Sequence, residues 1–136
     1  MKANTYLYFN GDCEAAFKFY EQALGAKVLV LMPYAGTPAE AHGPAEWKNK
    51  IIHGRLQLGD TVFYGSDGTP DNTSQPGGFS ICLHGETPED AERIYNALKE
   101  GGNVIMPIEE TFFAHRFAML KDKFGTPWMV ICEKQM

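Results

Sequence analysis

The sequence lacks any long apolar run, any excess of basic residues and any even set of cysteines. No stretch approaches the roughly 18 consecutive apolar residues that a membrane-spanning helix needs, and polar residues follow Met1 where an export leader would be apolar. The net charge of −5 argues against a nucleic-acid partner, because phosphate binding requires clustered Lys and Arg. The three cysteines lack metal-ligand spacing and suit a reducing compartment. We therefore expect a cytoplasmic protein that binds a small-molecule ligand, no membrane and no nucleic acid.

What the chain does contain is one structural pattern, repeated. In both halves a short strand, a helix and a glycine precede a second strand, and an offset of 76 residues separates Gly25 from Gly101 and Val28 from Val104. Such self-similarity indicates two copies of one supersecondary unit. Two copies that face each other would enclose a cleft, which is where we expect the functional site.

Capping signals mark both helices. In the first half, Asp12 is placed to cap the helix that follows, and Gly25 suits the left-handed conformation that ends it. In the second half, Thr87 is the predicted N-cap and Pro88 the first helical residue.

Three strand-like segments follow each helix, which predicts the order βαβββ in each half. The predicted fold is a single α+β domain, 1–136, of paired βαβββ modules that form a curved, mixed sheet around a cleft. Residues 1–66 are the first module, 67–78 the linker and 79–136 the second module, and loop 33–47 is interpreted as a mobile flap or dimer arm. The predicted strands are 6–9, 27–32, 50–58, 61–66, 79–83, 103–108, 115–121 and 127–133.

Alternation in the predicted strand 50–58 separates two faces of the first sheet. Apolar Ile52, Leu56 and Leu58 alternate with His53, Arg55 and Gln57, and alternate residues of a strand point to opposite faces. If the apolar face packs on the helix, the polar face lines whatever lies on the other side of the sheet. His53 and Arg55 are therefore the first candidates for ligand contact.

Four segments carry a resemblance to a known family. They read YLYFNGDCEAAFKFYEQALG at 6–25, IHGRLQLGD at 52–60, ETFFAHRF at 110–117 and DKFGTPWM at 122–129. In this order they resemble the PhnB-like proteins of the glyoxalase, bleomycin-resistance and dioxygenase superfamily, whose fold is also called vicinal oxygen chelate. The resemblance covers essentially the whole chain. It implies paired βαβββ modules around a pocket, and a homodimer.

Enzymes of that superfamily use a divalent metal held by His and Glu side chains from four strands, and the resemblance assigns the matching positions here. These fall at Thr5, near Tyr64, near Phe79 or Ser80, and at Met129. None is His or Glu, and these side chains are poor ligands for the metals concerned. We therefore expect no cofactor and no metal at the usual site. A displaced divalent-metal site built from His53, His115 and Glu110 stays open as an alternative.

Six residues are predicted to bind the ligand: His53, Arg55, Tyr64, Glu110, His115 and Trp128. His53 suits a general base or an orienting donor, or else it is an ordinary hydrogen-bonded sheet histidine. Arg55 suits a carboxylate or phosphonate, or else it pairs with an acidic neighbour such as Glu110. Tyr64 joins them as one of the positions that the resemblance assigns to the site.

The remaining candidates also have two interpretations each. Glu110 and His115 form an acid/base pair at a pocket mouth, or else Glu110 and Thr111 anchor a loop with His115 hydrogen-bonded beneath it. Trp128 lines the pocket with one N–H donor, or else it is a core residue. Cys82 and Cys132 lie in apolar strand-like runs and are interpreted as small buried hydrophobes.

Three functions follow from these residues. The favoured hypothesis is a small-molecule-binding protein on the glyoxalase scaffold, lacking the usual metal ligands. The alternative is a metal-independent or unconventionally metallated lyase or isomerase that acts on a small oxygen-bearing metabolite, with His53, Glu110 or His115 transferring a proton. The third is a structural dimer with a vestigial cleft. No Gly-x-Gly-x-x-Gly follows a strand, so a nucleotide-type cofactor loop is not expected.

Overall fold

The computed structural model describes residues 1–42, 45–68 and 76–135. The contacts between residues divide the chain into two compact units, Met1–Ser74 and Gln75–Met136. The first unit contains β1 (Tyr6–Phe9), α1 (Cys13–Leu24), β2 (Lys27–Pro33), two short 3₁₀ helices (Pro38–His42 and Ala45–Trp47), β3 (Ile51–Leu58) and β4 (Thr61–Asp67). The second contains β5 (Ile81–His84), α2 (Pro88–Leu98), β6 (Asn103–Glu109), β7 (Ala114–Lys121) and β8 (Pro127–Glu133).

Each unit is one mixed four-stranded sheet with one helix. The strand order is β1-β4-β3-β2 in the first sheet and β5-β8-β7-β6 in the second. In both, the strand before the helix pairs in parallel with the last strand, and the other pairs are antiparallel. The predicted α+β class and the repeated βαβββ order are confirmed, and each predicted strand lies within two residues of its observed bounds. The cleft between the modules stays a prediction.

The first helix begins where the sequence predicts, but not by the predicted contact. Asp12 occupies the N-cap position, yet with φ −109° and ψ 11° its side chain makes no capping hydrogen bond in the described chain. The prediction that its carboxylate caps the helix is therefore wrong. The end of the helix is as predicted, because Gly25 has φ 69° and its N–H donates to Glu21 O.

The second helix has the predicted start. Thr87 Oγ1 accepts a hydrogen bond from Asp90 N at 3.0 Å, and Pro88 is the first helical residue, where its missing N–H costs nothing.

In the first unit, a large helix side chain packs on a glycine-lined sheet. Phe17 of α1 is fully buried. A Cβ added to Gly65 would lie 2.8 Å from Phe17 Cζ, and one added to Gly54 would lie 3.0 Å from Phe17 Cε2. The side-chain positions of residues 54 and 65 therefore point to α1, so His53, Arg55 and Tyr64 point to the opposite side. We call this opposite side, in either unit, the distal face.

In the second unit, the large buried side chains belong to the sheet. Trp128 of β8 lies opposite Leu120 of β7, and both are buried almost completely. α2 contributes Ala91 and Leu98 to the core, also fully buried. By alternation, Met129 and Ile131 of β8 lie on the distal face.

Some sequence predictions fall partly outside the described residues. Residues 69–75 of the predicted linker and residues 43–44 of the predicted flap are not described. The described part of the flap is joined to the sheet, since the N–H groups of Tyr34 and Ala35 donate to Lys50 O and Lys48 O at 2.9 and 2.8 Å. Among the helices that the structure describes, none has the length and apolar character needed to cross a membrane.

Candidate functional site

Three of the six predicted ligand-binding residues lie together on the distal face of the first sheet. Tyr64 of β4 lies between Tyr6 of β1 and Arg55 of β3, because the registers pair Tyr6 with Tyr64 and Arg55 with Tyr64. His53 lies two residues before Arg55 in β3 and is therefore on the same face. Together with Tyr8 these residues form what we call the Tyr-His-Arg cluster: Tyr6, Tyr8, His53, Arg55 and Tyr64.

The rings of this cluster contact one another. The Tyr6 and Tyr64 rings are nearly parallel, with centroids 6.2 Å apart, and the His53 imidazole stacks on Tyr64 at 5.5 Å. Tyr8 lies 4.9 Å from Tyr6, centroid to centroid. These separations are those of interacting aromatic pairs, so the rings support one another in a continuous platform.

Polar groups lie at two points of the platform. The Tyr6 hydroxyl is 3.4 Å from His53 Nδ1, within hydrogen-bond reach. The Arg55 guanidinium carbon is 5.7 Å from the centroid of Tyr64, a cation–π distance. The platform thus combines aromatic faces, one hydroxyl–imidazole pair and one permanent positive charge.

The cluster is accessible. Tyr6 is 38% exposed and Tyr8 55%, and Arg55 is also exposed, whereas His53 and Tyr64 are partly buried. On β2, Met32 lies opposite His53 and Val30 lies opposite Arg55, which adds an apolar margin on the same face.

Tyr6 and Tyr8 are the members of the Tyr-His-Arg cluster that the sequence prediction missed. A signal was present: in YLYF, exposed Tyr6 and Tyr8 alternate with buried Leu7 and Phe9. That alternation places both tyrosines on the face opposite the helix. Because the signal spans only four residues, it does not show which strand they join, and the parallel pairing with β4 supplies that information.

Glu110 and His115 lie in the second unit, where both side chains are exposed and form no buried anchor. The pairing of Glu110 with Arg55 of the first unit stays a prediction. The Glu110 carboxylate forms an ion pair with Lys134 Nζ at 2.7 Å, and this contact lowers the pKa of the Glu110 carboxyl. The interpretation that His115 is hydrogen-bonded beneath the loop is wrong, because His115 is exposed on β7. The loop-anchor interpretation holds for Thr111, whose Oγ1 accepts from Ala114 N at 3.1 Å.

Trp128 occupies the core position that the sequence left open as an alternative. The side chain is 1% exposed, and its Nε1–H donates to Asp122 Oδ2 at 2.8 Å. The other oxygen of Asp122 accepts from Phe124 N and Thr126 N at 2.8 and 3.1 Å. The indole N–H is thus bound within the second unit. A ligand contact by Trp128 stays a prediction.

The interpretation of Cys82 as a buried hydrophobe is wrong, whereas Cys132 is buried as expected. β5 is an edge strand of four residues, and its alternation places Cys82 and His84 on the exposed side. Apolar neighbours in sequence therefore did not indicate burial at this position.

The divalent metal of the superfamily's enzymes does not fit the residues that this chain places at the matching positions. Tyr64 contacts the rings of both Tyr6 and His53, Phe79 is an exposed hydrocarbon side chain, and Met129 offers only a thioether. Hydroxyl and thioether side chains are poor ligands for hard or borderline ions. Within residues 1–42, 45–68 and 76–135, no three His, Cys, Asp or Glu side chains form a group that could hold a metal. The alternative site of His53, His115 and Glu110 takes residues from both units and stays a prediction.

Among the described residues, two of the surface hollows lie outside the cluster. One, of about 420 Å³, is at the start of α1 and is lined by Asp12, Glu14, Lys18 and Lys50 among others. Three of its charged side chains already have partners: Lys18 pairs with Glu14 at 2.9 Å, and Lys50 Nζ donates to Gly11 O at 3.0 Å. The other, of about 400 Å³, lies beside the turn at 122–125. Neither is lined by a predicted ligand-binding residue.

Comparisons with known proteins identify the family. Residues 2–130 match the model of the Glyoxalase/Bleomycin resistance protein/Dioxygenase superfamily. Protein YjdN of Escherichia coli (strain K12) is 31% identical over 143 residues, which cover 99% of this chain and 97% of that protein.

Solved structures agree with this match. Protein PA1353 from Pseudomonas aeruginosa is 41% identical with a TM-score of 0.88, over 99% of both chains. A PhnB protein from Bacillus cereus has a TM-score of 0.82 at 24% identity, over 97% of this chain and 99% of that one, and shows the shared fold. The chain therefore belongs to the glyoxalase, bleomycin-resistance and dioxygenase superfamily.

Proposed function

We propose that this protein binds a small, planar, anionic molecule on the Tyr-His-Arg cluster. The observation that carries the proposal is the contiguous platform of three tyrosine rings and one imidazole with the Arg55 guanidinium over Tyr64. Aromatic faces stack on a planar ligand, and a guanidinium recognises a carboxylate with two parallel hydrogen bonds. The superfamily scaffold supports a binding role of this kind without deciding the ligand.

Three probe molecules distinguish stacking on the aromatic rings from binding of the anion by Arg55. Benzoate offers both a ring and an anion, benzamide offers the ring alone, and acetate the anion alone. If the cluster acts as a unit, benzoate binds more tightly than either of the others, as measured by the dissociation constant from NMR titration. Equal affinity for benzoate and benzamide would remove Arg55 from the proposal.

A variant pair tests the same point from the protein side. Arg55→Gln should weaken benzoate binding by at least about tenfold, since a hydrogen bond to a charged partner contributes about 1.5–3 kcal/mol. The matched control is Arg93→Gln, an exposed arginine of α2 that pairs with Asp90. The control should leave the dissociation constant unchanged.

A proton-transfer activity at the same cluster is the second candidate function, and one contact favours it. The Tyr6 hydroxyl lies 3.4 Å from His53 Nδ1, so the hydroxyl and the imidazole form a potential proton relay without a metal. The test is deuterium exchange at the C3 methylene of phenylpyruvate, the carbon next to its ketone, in D₂O, followed by NMR. Exchange that is lost in His53→Gln and kept in His115→Gln would support the activity, and exchange no faster than without protein would exclude it for this substrate class.

A further inference from the structure

Four sulfur-containing side chains form a row across the distal face of the second sheet. The strand registers place Met106 opposite Met119, Met119 opposite Met129, and Met129 opposite Cys82. Neighbouring strands are about 4.8 Å apart, so directly opposed side chains on one face are neighbours. The row ends at Cys82 on the edge strand β5, where the thiol is exposed.

A histidine and a carboxylate complete this end of the row. The Nε2 atom of His84 lies 3.9 Å from Cys82 Sγ, and its Nδ1 atom lies 3.5 Å from Glu133 Oε1. A carboxylate beside Nδ1 favours a proton on that nitrogen, which leaves the Nε2 lone pair on the side of the thiol. Metal-binding histidines are commonly oriented by this arrangement.

We propose that Cys82, His84 and Met129 form a site for a soft monovalent metal ion, Cu(I), with Glu133 orienting His84. The Sγ–Nε2 separation of 3.9 Å allows both atoms to bind one ion that lies between them. Thiolate and thioether sulfur prefer soft ions, and imidazole binds copper well, so the three donors agree on Cu(I). Hard ions such as Mg²⁺ and Ca²⁺ need oxygen ligands, which the three donors do not supply.

This site differs from the divalent site of the superfamily's enzymes in its donor atoms and in the charge of the ion that it binds. It uses sulfur and nitrogen from two neighbouring strands of one unit, and only Met129 coincides with a position that the resemblance assigned. The side chains of His84 and Glu133 are 64% and 56% exposed, so an ion reaches them from solvent. The inference is independent of the ligand proposed for the first unit.

A reactive thiol is the competing interpretation of Cys82, and the surroundings disfavour it. Partial burial, and then the Glu133 carboxylate, raise the pKa of the Cys82 thiol, so less of the nucleophilic thiolate is present at neutral pH. A bound metal ion displaces the thiol proton to solvent, so metal binding does not require a low pKa in the free protein.

The test is an anaerobic titration of the whole protein with Cu(I) in competition with bicinchoninate, a chromogenic Cu(I) chelator. We expect one equivalent to be retained by the wild type. Glu133→Gln removes only the group that orients His84, so it should weaken Cu(I) affinity by roughly 10–100-fold. Cys82→Ser and Met129→Leu each remove a ligand, so each should weaken Cu(I) affinity by more than that.

The matched control is Met106→Leu, which removes a thioether at the far end of the same row. It should retain Cu(I) as the wild type does, and thermal melting verifies that every variant is folded. Loss of retention in Met106→Leu equal to that in Met129→Leu would overturn the site, as would a wild type that yields all Cu(I) to the chelator. Retention of Zn(II) but not Cu(I) would overturn the preference for a soft ion.

Discussion

The two units share one topology but have different distal faces. In the first, strands β1, β3 and β4 present tyrosine, histidine and arginine. In the second, strands β5 to β8 present methionine, cysteine and apolar side chains, with His84 and Glu133 at one edge. Pairing pattern and helix position are the same in both. The fold thus fixes which positions face away from the helix, and the chemistry at those positions is free to differ.

The packing between helix and sheet also differs between the two units. In the first unit, Phe17 of the helix fills the space above Gly54 and Gly65 of the sheet. In the second, Trp128 and Leu120 of the sheet are the large buried groups, and the helix contributes Ala91. Dense packing is thus supplied by a helix side chain in the first unit and by sheet side chains in the second. Substitutions in the helix and in the sheet should therefore lower the free energy of unfolding by different amounts.

The largest expected effect is on the first unit's core. Phe17→Ala should lower the free energy of unfolding by about 3–5 kcal/mol, because the cavity lies over two glycines that have no side chains to fill it. Urea denaturation measures this. The control in the other unit is Phe112→Ala, at a side chain 89% exposed, which should change stability by no more than about 0.5 kcal/mol. A small effect of Phe17→Ala would contradict the described packing.

The two tryptophans give the next comparison. Trp128→Phe removes the hydrogen bond to buried Asp122 and should cost about 2–3 kcal/mol. Trp47 lies in the first unit, and its Nε1 is buried without a hydrogen-bond partner among the described residues. Trp47→Phe should therefore cost less than Trp128→Phe in the same denaturation experiment. The reverse order would show that the Asp122 bond contributes little.

The helix N-termini give a smaller effect. Thr87→Ala should lower stability by about 1 kcal/mol, because Thr87 Oγ1 accepts from Asp90 N. Asp12→Ala should cost only a few tenths of a kcal/mol, since only the interaction of the carboxylate with the helix dipole is lost. Thermal melting of the two variants checks the order, and equal losses would mean that Asp12 does cap α1 in solution.

The smallest expected effect is on the pKa of one surface carboxyl group, that of Glu110. Lys134 lowers the pKa of Glu110, so any stability from this pair is present above the unfolded-state pKa and is lost as the pH falls through the folded-state pKa. Both groups are at the surface, so the effect on stability is small. NMR titration should find the Glu110 pKa below its usual value in the wild type and higher in Lys134→Gln. An unchanged pKa would show that the pair does not persist in water.

Local signals predicted much of this fold. The Thr87-Pro88 start, the Gly25 stop and the alternation in β3 each depend on a few adjacent residues, and the structure reproduces all three. The repeat then supplied the order of elements. Alternation also placed His53 and Arg55 on one face, and the family resemblance assigned Tyr64 to the site, so half of the predicted ligand-binding residues coincide with the cluster.

What the sequence did not show depends on pairing between distant strands. Tyr6 meets His53 and Tyr64 only because β1 joins β4 in parallel. Cys82 is exposed because β5 is an edge strand, a property of the sheet and not of its four residues. Asp12 has the right residue type for a cap but a backbone conformation that does not bring its carboxylate to the helix N–H groups.

The central claim is that ligand binding belongs to the first unit's distal face. The most direct test is to map chemical-shift changes over the amides of the whole chain as benzoate is added. We predict that the largest changes fall on Tyr6, His53, Arg55 and Tyr64, and that Arg55→Gln needs at least about tenfold more benzoate to produce them. Largest changes at residues 82–84 and 129–133 of the second unit would contradict the account.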